Sequence, residues 1–219
     1  MKINHKKSKV MLFNTSRNND FCPHMKIEQV VLEVVEEMKL LGVIITSDLK
    51  WHKNTEHITK KAYSRLWLIK RLKQMGASRS ALIDIYTKHV RSVLEFAAVV
   101  WNSSLTQENI ITIERVQKAA FSVILGRKYN SYEEACKSLK MESLSKRREA
   151  LSLKFATKAS KHPIHKQWFE LYHGENRTRI EKPTYKPVLG RTERLLKSAI
   201  PFLTNLLNKK KLFRSVVPL

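Results

Sequence analysis

The stretch that decides the fold is "KLLGVIITSDLKW", residues 39–51, which runs into "HKNTEHITKKAYSRLWLIKRLKQMG", residues 52–76. The first part is rich in β-branched residues and holds Gly42, one of only five glycines in the chain. Its pattern predicts a strand over 39–46, with Gly42 as a bulge or a close backbone approach. The second part has apolar residues at helical spacing and predicts a helix over 53–75 that ends at Gly76.

Strand and helix signals on either side of this stretch predict an α+β fold that is mostly α. Further strands are expected over 9–13 and over 27–35, where a helix is the alternative, and a polar loop over 14–24. With 39–46 these strands form a small antiparallel unit or the end of a larger sheet. Further helices are expected over 80–101, 106–125, 131–139, 143–161 and 193–208. The predicted regions are a strand unit at 1–50, a three-helix unit at 51–127 and a basic helical region at 128–219 with an irregular stretch at 174–192.

The charge of the chain indicates a polyanionic partner. Its 42 lysines and arginines exceed its 19 acidic residues, which gives a net charge of +23. Most of this excess follows Trp51, since residues 1–50 carry a net charge of +2, residues 51–130 of +9 and residues 131–219 of +12. A field of this size attracts nucleic acid or another anionic surface, and a merely basic soluble protein is the alternative.

The sequence shows no signal for secretion, for a membrane span or for a zinc site. The first residues lack a long apolar segment, and no run approaches the ~18 apolar residues of a membrane helix. Cys22 and Cys136 are the only cysteines and lie far apart, which fits neither a redox pair nor a zinc knuckle. We expect a protein of the cytoplasm or the nucleus with no membrane partner.

Helical wheels predict which faces of the three helices in 51–127 form the core. In the second helix the predicted core face carries His89, and Phe96 is expected near the centre. Arg65 falls inside the apolar sector of the first helix and is expected to snorkel or to meet a carboxylate. The predicted core is lined by Leu66, Ile69, Ile85, Val93, Phe96, Ile113 and Ile124.

The opposite face of the first helix combines basic and aromatic side chains. Its members are Lys53, Lys60, Tyr63, Trp67, Lys70 and Arg71. Lysine and arginine pair with phosphates, while tyrosine and tryptophan stack on sugars or bases. Because a solvated face needs charge but no aromatic rings, we interpret this face as a nucleic-acid-binding surface. The alternatives are a plain solvated face and packing against a further domain.

The carboxylates are not arranged for metal-ion catalysis. Only three aspartates occur, Asp20, Asp48 and Asp84, in a predicted loop, a turn and a solvated helix face. Two-metal phosphoryl transfer needs several carboxylates around ions that lie about 4 Å apart. His162 and His165 are a weak metal signal, and neither a phosphate-binding loop nor a nucleophile elbow is present. The pattern favours binding over catalysis, with no catalytic residue, metal or cofactor.

Five segments, taken in order, resemble reverse transcriptases of non-LTR (LINE-type) retrotransposons. They are "KINHKKSKVMLF" at 2–13, "LLGVIITSDLKW" at 40–51, "IYTKHVRSVLEFAAVVW" at 85–101, "IERVQKAAFSVILG" at 113–126 and "SAIPFLTNLLN" at 198–208. The resemblance covers nearly all of the chain. It implies that residues 1–50 are the end of the palm with its primer-grip hairpin, that the helices after Trp51 form the thumb, and that a family-like tail closes the chain.

The resemblance also implies roles for individual residues. Lys7 matches the lysine of a palm motif that lies near the incoming nucleotide in such polymerases. Leu41 and Gly42 match the primer-grip hairpin. The thumb of this family follows the template–primer duplex, which agrees with the basic and aromatic face of the first helix.

The catalytic aspartates of the family, including the pair in its Tyr-x-Asp-Asp motif, have no match in this chain. The resemblance therefore implies a truncated product that is not an enzyme by itself but retains non-specific binding of RNA, DNA or hybrid duplexes. Magnesium would be expected only for an intact parent polymerase. The alternative is a stand-alone basic helical protein that descends from such an element and binds nucleic acid or another partner.

Overall fold

The computed structural model describes residues 4, 7–13, 25–27, 29–173, 183–190 and 192–216, with side chains as far as Lys209. The predicted loop at 14–24 lies outside these ranges, as does most of the irregular stretch at 174–192. Where the chain is described it is mostly helical, with a small strand unit ahead of the first long helix, as the sequence predicts. None of the described helices combines the length and the apolar character that a membrane-spanning helix needs.

Two short strand pairs precede the hairpin. β1 (Lys9–Val10) pairs in parallel with β4 (Glu33–Val34). β2 (Lys26–Ile27) pairs antiparallel with β3 (Val30–Val31). The strand unit therefore contains one parallel pair beside its antiparallel pairs, because the segments around residues 9 and 33 run in the same direction.

The next two strands, β5 (Glu37–Leu40) and β6 (Val43–Thr46), form an antiparallel hairpin. The expectation of one strand over 39–46 is therefore wrong, whereas the family resemblance implies a hairpin at this place. The chain reverses at Leu41 and Gly42, whose φ angles are both positive, at 47° and 90°. Two-residue hairpin turns use such angles, and glycine adopts them without a steric penalty.

Helix α1 (His52–Gln74) begins directly after the hairpin. The side-chain Oδ1 of Asn54 accepts a hydrogen bond from the Ile44 N–H at 3.1 Å, which ties the first turn of α1 to β6. The buried face of α1 includes Ile58 and Ala62 together with the predicted core residues Leu66 and Ile69. The predicted stop is confirmed, since the helix ends just before Gly76, which has a φ of 82°.

The predicted helix over 80–101 is broken into pieces. α2 (Arg79–Ile85) continues into a π-helical turn (Tyr86–Arg91) and a last helical turn, α3 (Ser92–Leu94). α4 (Ala98–Trp101) follows a bend at which Ala97 has a φ of 50°. A π turn has i→i+5 hydrogen bonds and is wider than an α turn. As a result every fourth residue faces inward, namely Leu82, Tyr86, Val90, Leu94 and Ala98.

This change of register overturns part of the predicted core. A face drawn at 3.6 residues per turn places His89 and Phe96 inside, whereas His89 is exposed and Phe96 is 51% exposed. Ile85 and Val93 pack against the core but are only partly buried. Arg65 meets a backbone carbonyl instead of a carboxylate, because its Nη1 donates to the oxygen of His89 at 2.5 Å. The remaining predicted core residues are buried, namely Leu66, Ile69, Ile113 and Ile124.

Three further helices complete the first buried cluster, which extends from Val43 to Leu144. They are α5 (Gln107–Leu125), α6 (Tyr132–Leu139) and α7 (Leu144–Ala159). α5 packs along α1 and carries the fully buried Gln117. The Nε2 of Gln117 donates to the carbonyl of Glu142 at 3.0 Å, so this side chain joins α5 to the loop before α7.

Two arginines of α7 face the segment from α3 to α4. Nε and Nη2 of Arg147 donate to the two carboxylate oxygens of Glu95 at 2.5 and 3.1 Å. Arg148 is fully buried, and its Nε donates to Oδ1 of Asn102 at 3.0 Å while its guanidinium lies 5.9 Å from the Trp101 ring centroid. Among the described residues its two terminal nitrogens have no hydrogen-bond partner. Burial lowers the pKa of Arg148 below its usual value.

A second, smaller buried cluster joins α7 to the C-terminal segment. α8 (Glu193–Leu196) and α9 (Ala199–Val216) replace the single helix predicted over 193–208. The cluster consists of Ala156, Ala159, Phe169, Leu203, Leu206 and Leu207. Two long-range hydrogen bonds hold this segment against the first cluster, from Nη2 of Arg194 to the carbonyl of Asp48 at 3.0 Å and from the Ser104 hydroxyl to the carbonyl of Lys197 at 2.8 Å.

Candidate nucleic-acid interface

The six residues of the predicted binding face lie on one exposed side of α1, opposite its buried face. They are Lys53, Lys60, Tyr63, Trp67, Lys70 and Arg71, and all six are exposed. Positions three or four apart are neighbours on a helix surface. Trp67 therefore lies between Tyr63 on one side and Lys70 with Arg71 on the other. We call these six residues the α1 face.

The aromatic members of the α1 face are unusually open to solvent. Tyr63 is 44% exposed and Trp67 is 65% exposed. Burial of a large aromatic ring in a core is strongly favourable, so rings left on an outer helix face contribute little to folding. Such rings offer flat apolar surfaces on which a sugar or a base can stack.

The cations of the α1 face are largely free of carboxylate partners. Glu56 is the only acidic residue in α1. Lys53 forms an exposed ion pair with Glu37 of β5 at 3.6 Å. For Lys60, Lys70 and Arg71 no carboxylate of the described residues lies within 4.0 Å. Three cations are thus available to phosphates.

A basic pocket that was not predicted adjoins the α1 face. It has a volume of about 310 Å³ and is lined by Lys39 of β5 and by His57 and Lys61 of α1, beside Gly42 and Phe96. Nζ of Lys39 lies 3.3 Å from Nε2 of His57. Burial, together with the charges of Lys39 and Lys61, lowers the pKa of His57. Since none of the lining residues is acidic, the pocket favours an anion.

Sequence spacing could have indicated only half of this pocket. His57 and Lys61 are one helical turn apart, so they adjoin on the surface of α1. Lys39 lies 18 residues before His57 and reaches it only because the hairpin folds back against the helix. A contact of this kind depends on the tertiary structure and leaves no local pattern.

The hairpin tip forms one wall of the basic pocket. A Cβ atom on Gly42 would lie only 3.0 Å from the Phe96 ring, so the close approach of tip and ring requires glycine. Leu41, next to it in the turn, is 90% exposed. Lys7, assigned near a nucleotide by resemblance, is exposed just before β1, and its N–H donates to the carbonyl of Asn4 at 3.1 Å.

Asp48 and Asp84 lie on separate elements, and Asp20 lies outside the described residues. Oδ1 of Asp48 accepts hydrogen bonds from the Thr46 hydroxyl at 2.7 Å and the Lys50 N–H at 3.0 Å, and these bonds lower the pKa of Asp48. Asp84 pairs with Lys88 on α2 at 3.0 Å. Within the described ranges no three His, Cys, Asp or Glu side chains gather as a metal site would require.

The interpretation of the α1 face rests on its exposure, its charges and its neighbours. The face unites a basic field, two open aromatic rings and an adjoining anion-favouring pocket, and the chemistry of all three suits a nucleic-acid backbone. No protein-family model, curated protein or solved structure matches the chain.

Proposed function

We propose that this chain is a reverse-transcriptase-derived protein of retrotransposon origin that binds nucleic-acid duplexes without polymerising them. The order of elements supports this proposal, because a two-stranded hairpin is followed directly by a long basic helix and a helical bundle. The quoted segments place the primer grip and the thumb of the family at these same elements. The protein acts in the cytoplasm or the nucleus, where its RNA, DNA or hybrid partner occurs.

The observation that carries the proposal is the composition of the α1 face. Tyr63 and Trp67 are exposed, and the cations Lys60, Lys70 and Arg71 on either side of them lack carboxylate partners among the described residues. Lys60 and Lys70 are ten positions apart, which corresponds to about 15 Å along a helix axis. A helix of this reach can follow several consecutive phosphates, because phosphates along one strand are about 3.4 Å apart along the duplex axis.

Binding by this face is non-specific. Contacts to phosphates position a protein on a duplex but carry no information on base sequence. Stacking on an aromatic ring is also tolerant of sequence, since every base has a flat face. Neither interaction needs a metal ion, and magnesium belongs only to the catalytic step of an intact polymerase.

The test is the salt dependence of duplex binding, which is measured by fluorescence anisotropy. Each neutralised phosphate contributes about 0.9 to the slope of log affinity against log salt on B-form DNA. The double variant Lys60→Gln/Lys70→Gln should therefore lower that slope by about 2. The matched control is Lys137→Gln/Lys146→Gln, which removes the same charge from exposed positions on α6 and α7 and should change the slope far less.

A second variant separates stacking from charge. Trp67→Ala should weaken duplex binding while leaving the slope almost unchanged, because stacking displaces few counterions. If the variant at Lys60 and Lys70 keeps both the affinity and the slope of the unaltered protein, the phosphates are bound elsewhere. The α1 face would then be an ordinary solvated surface.

A further inference from the structure

The segment that follows α7 carries three aromatic rings stacked on one another. The rings of His162 and His165 have centroids 4.7 Å apart and are inclined by 26°. The ring of His165 lies in turn 4.5 Å from that of Trp168, at 35°. The last of these residues closes a single 3-10 turn, Lys166–Trp168. Such a stack holds the indole in a fixed orientation.

Beside the stack is a slot walled by apolar residues. Trp168 is 37% exposed and lines a pocket of about 340 Å³ together with Pro187, Val188 and Leu189. Val188 is 37% exposed and Leu189 is 93% exposed, so the wall facing the slot is open to solvent. Neighbouring apolar side chains exposed in this way are typical of an interaction surface.

Polar groups around the slot suit a nucleotide. The amide of Gln167 lines the slot and can both donate and accept hydrogen bonds. Lys186 and Glu170 also line it, and their side chains form an exposed ion pair at 3.2 Å. Lys161 and Lys166 are exposed on the segment that carries the three rings, and no carboxylate within the described ranges lies within 4.0 Å of either.

We propose that this slot binds one base of a single-stranded nucleic acid, with the base against Trp168 and the adjoining phosphates at Lys161 and Lys166. A duplex keeps its bases stacked inside, whereas a single strand can present a base to an aromatic platform. The inference rests on the proposed function and deepens it, since it assigns the single-stranded part of a nucleic acid to the C-terminal region and the duplex to the α1 face.

The test uses the full chain and a single-stranded oligothymidylate that carries one 5-iodouracil. Illumination should cross-link the oligonucleotide to the peptide that contains Trp168. Trp168→Leu keeps an apolar side chain but removes the aromatic face, and it should weaken single-strand binding about five-fold or more without changing duplex binding. The matched control is Trp67→Leu, which removes the other exposed indole and should weaken duplex binding while the cross-link at Trp168 persists.

A second variant keeps the test valid if Trp168→Leu disturbs the local fold. Lys166→Gln alters an exposed side chain and should lower the salt slope of single-strand binding by about 0.7, with no change in the slope for a duplex. If both variants bind single strands as the unaltered protein does and the cross-link maps elsewhere, the slot proposal is overturned while the duplex function stands. If the unaltered protein binds neither form, both proposals fall.

Discussion

The hydroxyl of Tyr86 donates a hydrogen bond to Oε1 of Gln117 at 2.5 Å in the middle of the core, where both side chains are fully buried. Gln117 donates onward to the Tyr132 hydroxyl at 2.7 Å, and Tyr132 donates to Glu114 at 2.5 Å. Glu114 also accepts the backbone N–H of Ser145 at 2.7 Å, in the first turn of α7. One continuous polar chain therefore links the π turn to the start of α7.

Tyr86→Phe tests the buried end of this polar chain. The substitution leaves Oε1 of Gln117 buried without its donor, and an unsatisfied buried acceptor costs about 1–3 kcal/mol. We expect the free energy of unfolding in urea to fall by that amount. Tyr63→Phe is the control, because Tyr63 is exposed and its hydroxyl should matter by less than about 0.5 kcal/mol. If Tyr86→Phe and Tyr63→Phe have the same free energy of unfolding, the hydrogen bond between Tyr86 and Gln117 does not stabilise the fold.

The stability of the protein should fall at high pH. Burial raises the pKa of Tyr86, and burial and a hydrogen bond to Glu114 raise that of Tyr132, above the ordinary value of about 10. Above about pH 10 the unfolded chain loses protons that the folded chain keeps, so each tyrosine lowers stability by up to about 1.4 kcal/mol per pH unit. Urea unfolding from about pH 8 to about pH 11 measures this loss of stability, which should be smaller in Tyr86→Phe. If the free energy of unfolding falls equally with pH in both proteins, Tyr86 does not contribute to the loss.

Gly42→Ala and Phe96→Ala should be energetically coupled. Gly42→Ala carries the cost of a left-handed conformation, about 1–2 kcal/mol, and also crowds the Phe96 ring. Phe96→Ala alone should cost clearly less than the about 3–5 kcal/mol of a buried phenylalanine, because half of the side chain is exposed. In the double variant the crowding disappears, so a double-mutant cycle should show a favourable coupling above about 0.5 kcal/mol. Strict additivity would mean that tip and ring do not touch in solution.

Arg148→Met should be neutral or stabilising, although Arg148 is fully buried. Its terminal nitrogens lack partners among the described residues, and a well-packed apolar side chain can replace a buried charge with a gain of about 1–4 kcal/mol. Arg147→Met is the control and should destabilise, since it leaves the largely buried Glu95 carboxylate without its bidentate partner. Thermal unfolding of both variants gives the comparison, and a strongly destabilised Arg148→Met would show that the contacts of the guanidinium with Asn102 and Trp101 outweigh the cost of its two unpaired terminal nitrogens.

Purified protein should show no polymerase activity in template–primer extension with Mg²⁺ or Mn²⁺. Phosphoryl transfer needs carboxylates that share metal ions about 4 Å apart. Asp48 and Asp84 lie instead on a hairpin exit and on α2, each engaged with its own neighbours. Incorporation that survives repurification of the protein would refute this prediction.

Local patterns predicted the unbroken helices well. α1 and α5 both have an apolar face at a regular spacing and a glycine within two residues of the last helical residue, and both lie where the sequence places them. The helix predicted over 80–101 failed because a π turn changes the spacing from 3.6 to about four residues, and nothing in the local residue types marks that turn. The hairpin was missed by periodicity, since its two-residue turn lies inside an otherwise continuous apolar run.

Of the candidate site, the part formed by a single helix could be predicted from the sequence, and the parts formed between elements could not. The α1 face follows from one helix alone, so the six residues could be chosen from their angular positions. The basic pocket needs Lys39 from another element, and the slot beside Trp168 needs residues about twenty positions further along the chain. Contacts between elements are set by how the helices and the hairpin pack together, which periodicity does not encode.

The π turn at Tyr86–Arg91 holds one residue more than an α-helical turn of the same length would hold. Removing one residue there would restore an unbroken α-helix but turn everything after it by about 100°. Phe96 would then leave Gly42, which precedes it by more than fifty positions, and the basic pocket would lose one wall. The extra residue thus sets on which side Phe96 lies, and single-residue deletions in this turn would change the pocket together with the core residues that follow the turn, Leu94 and Ala98.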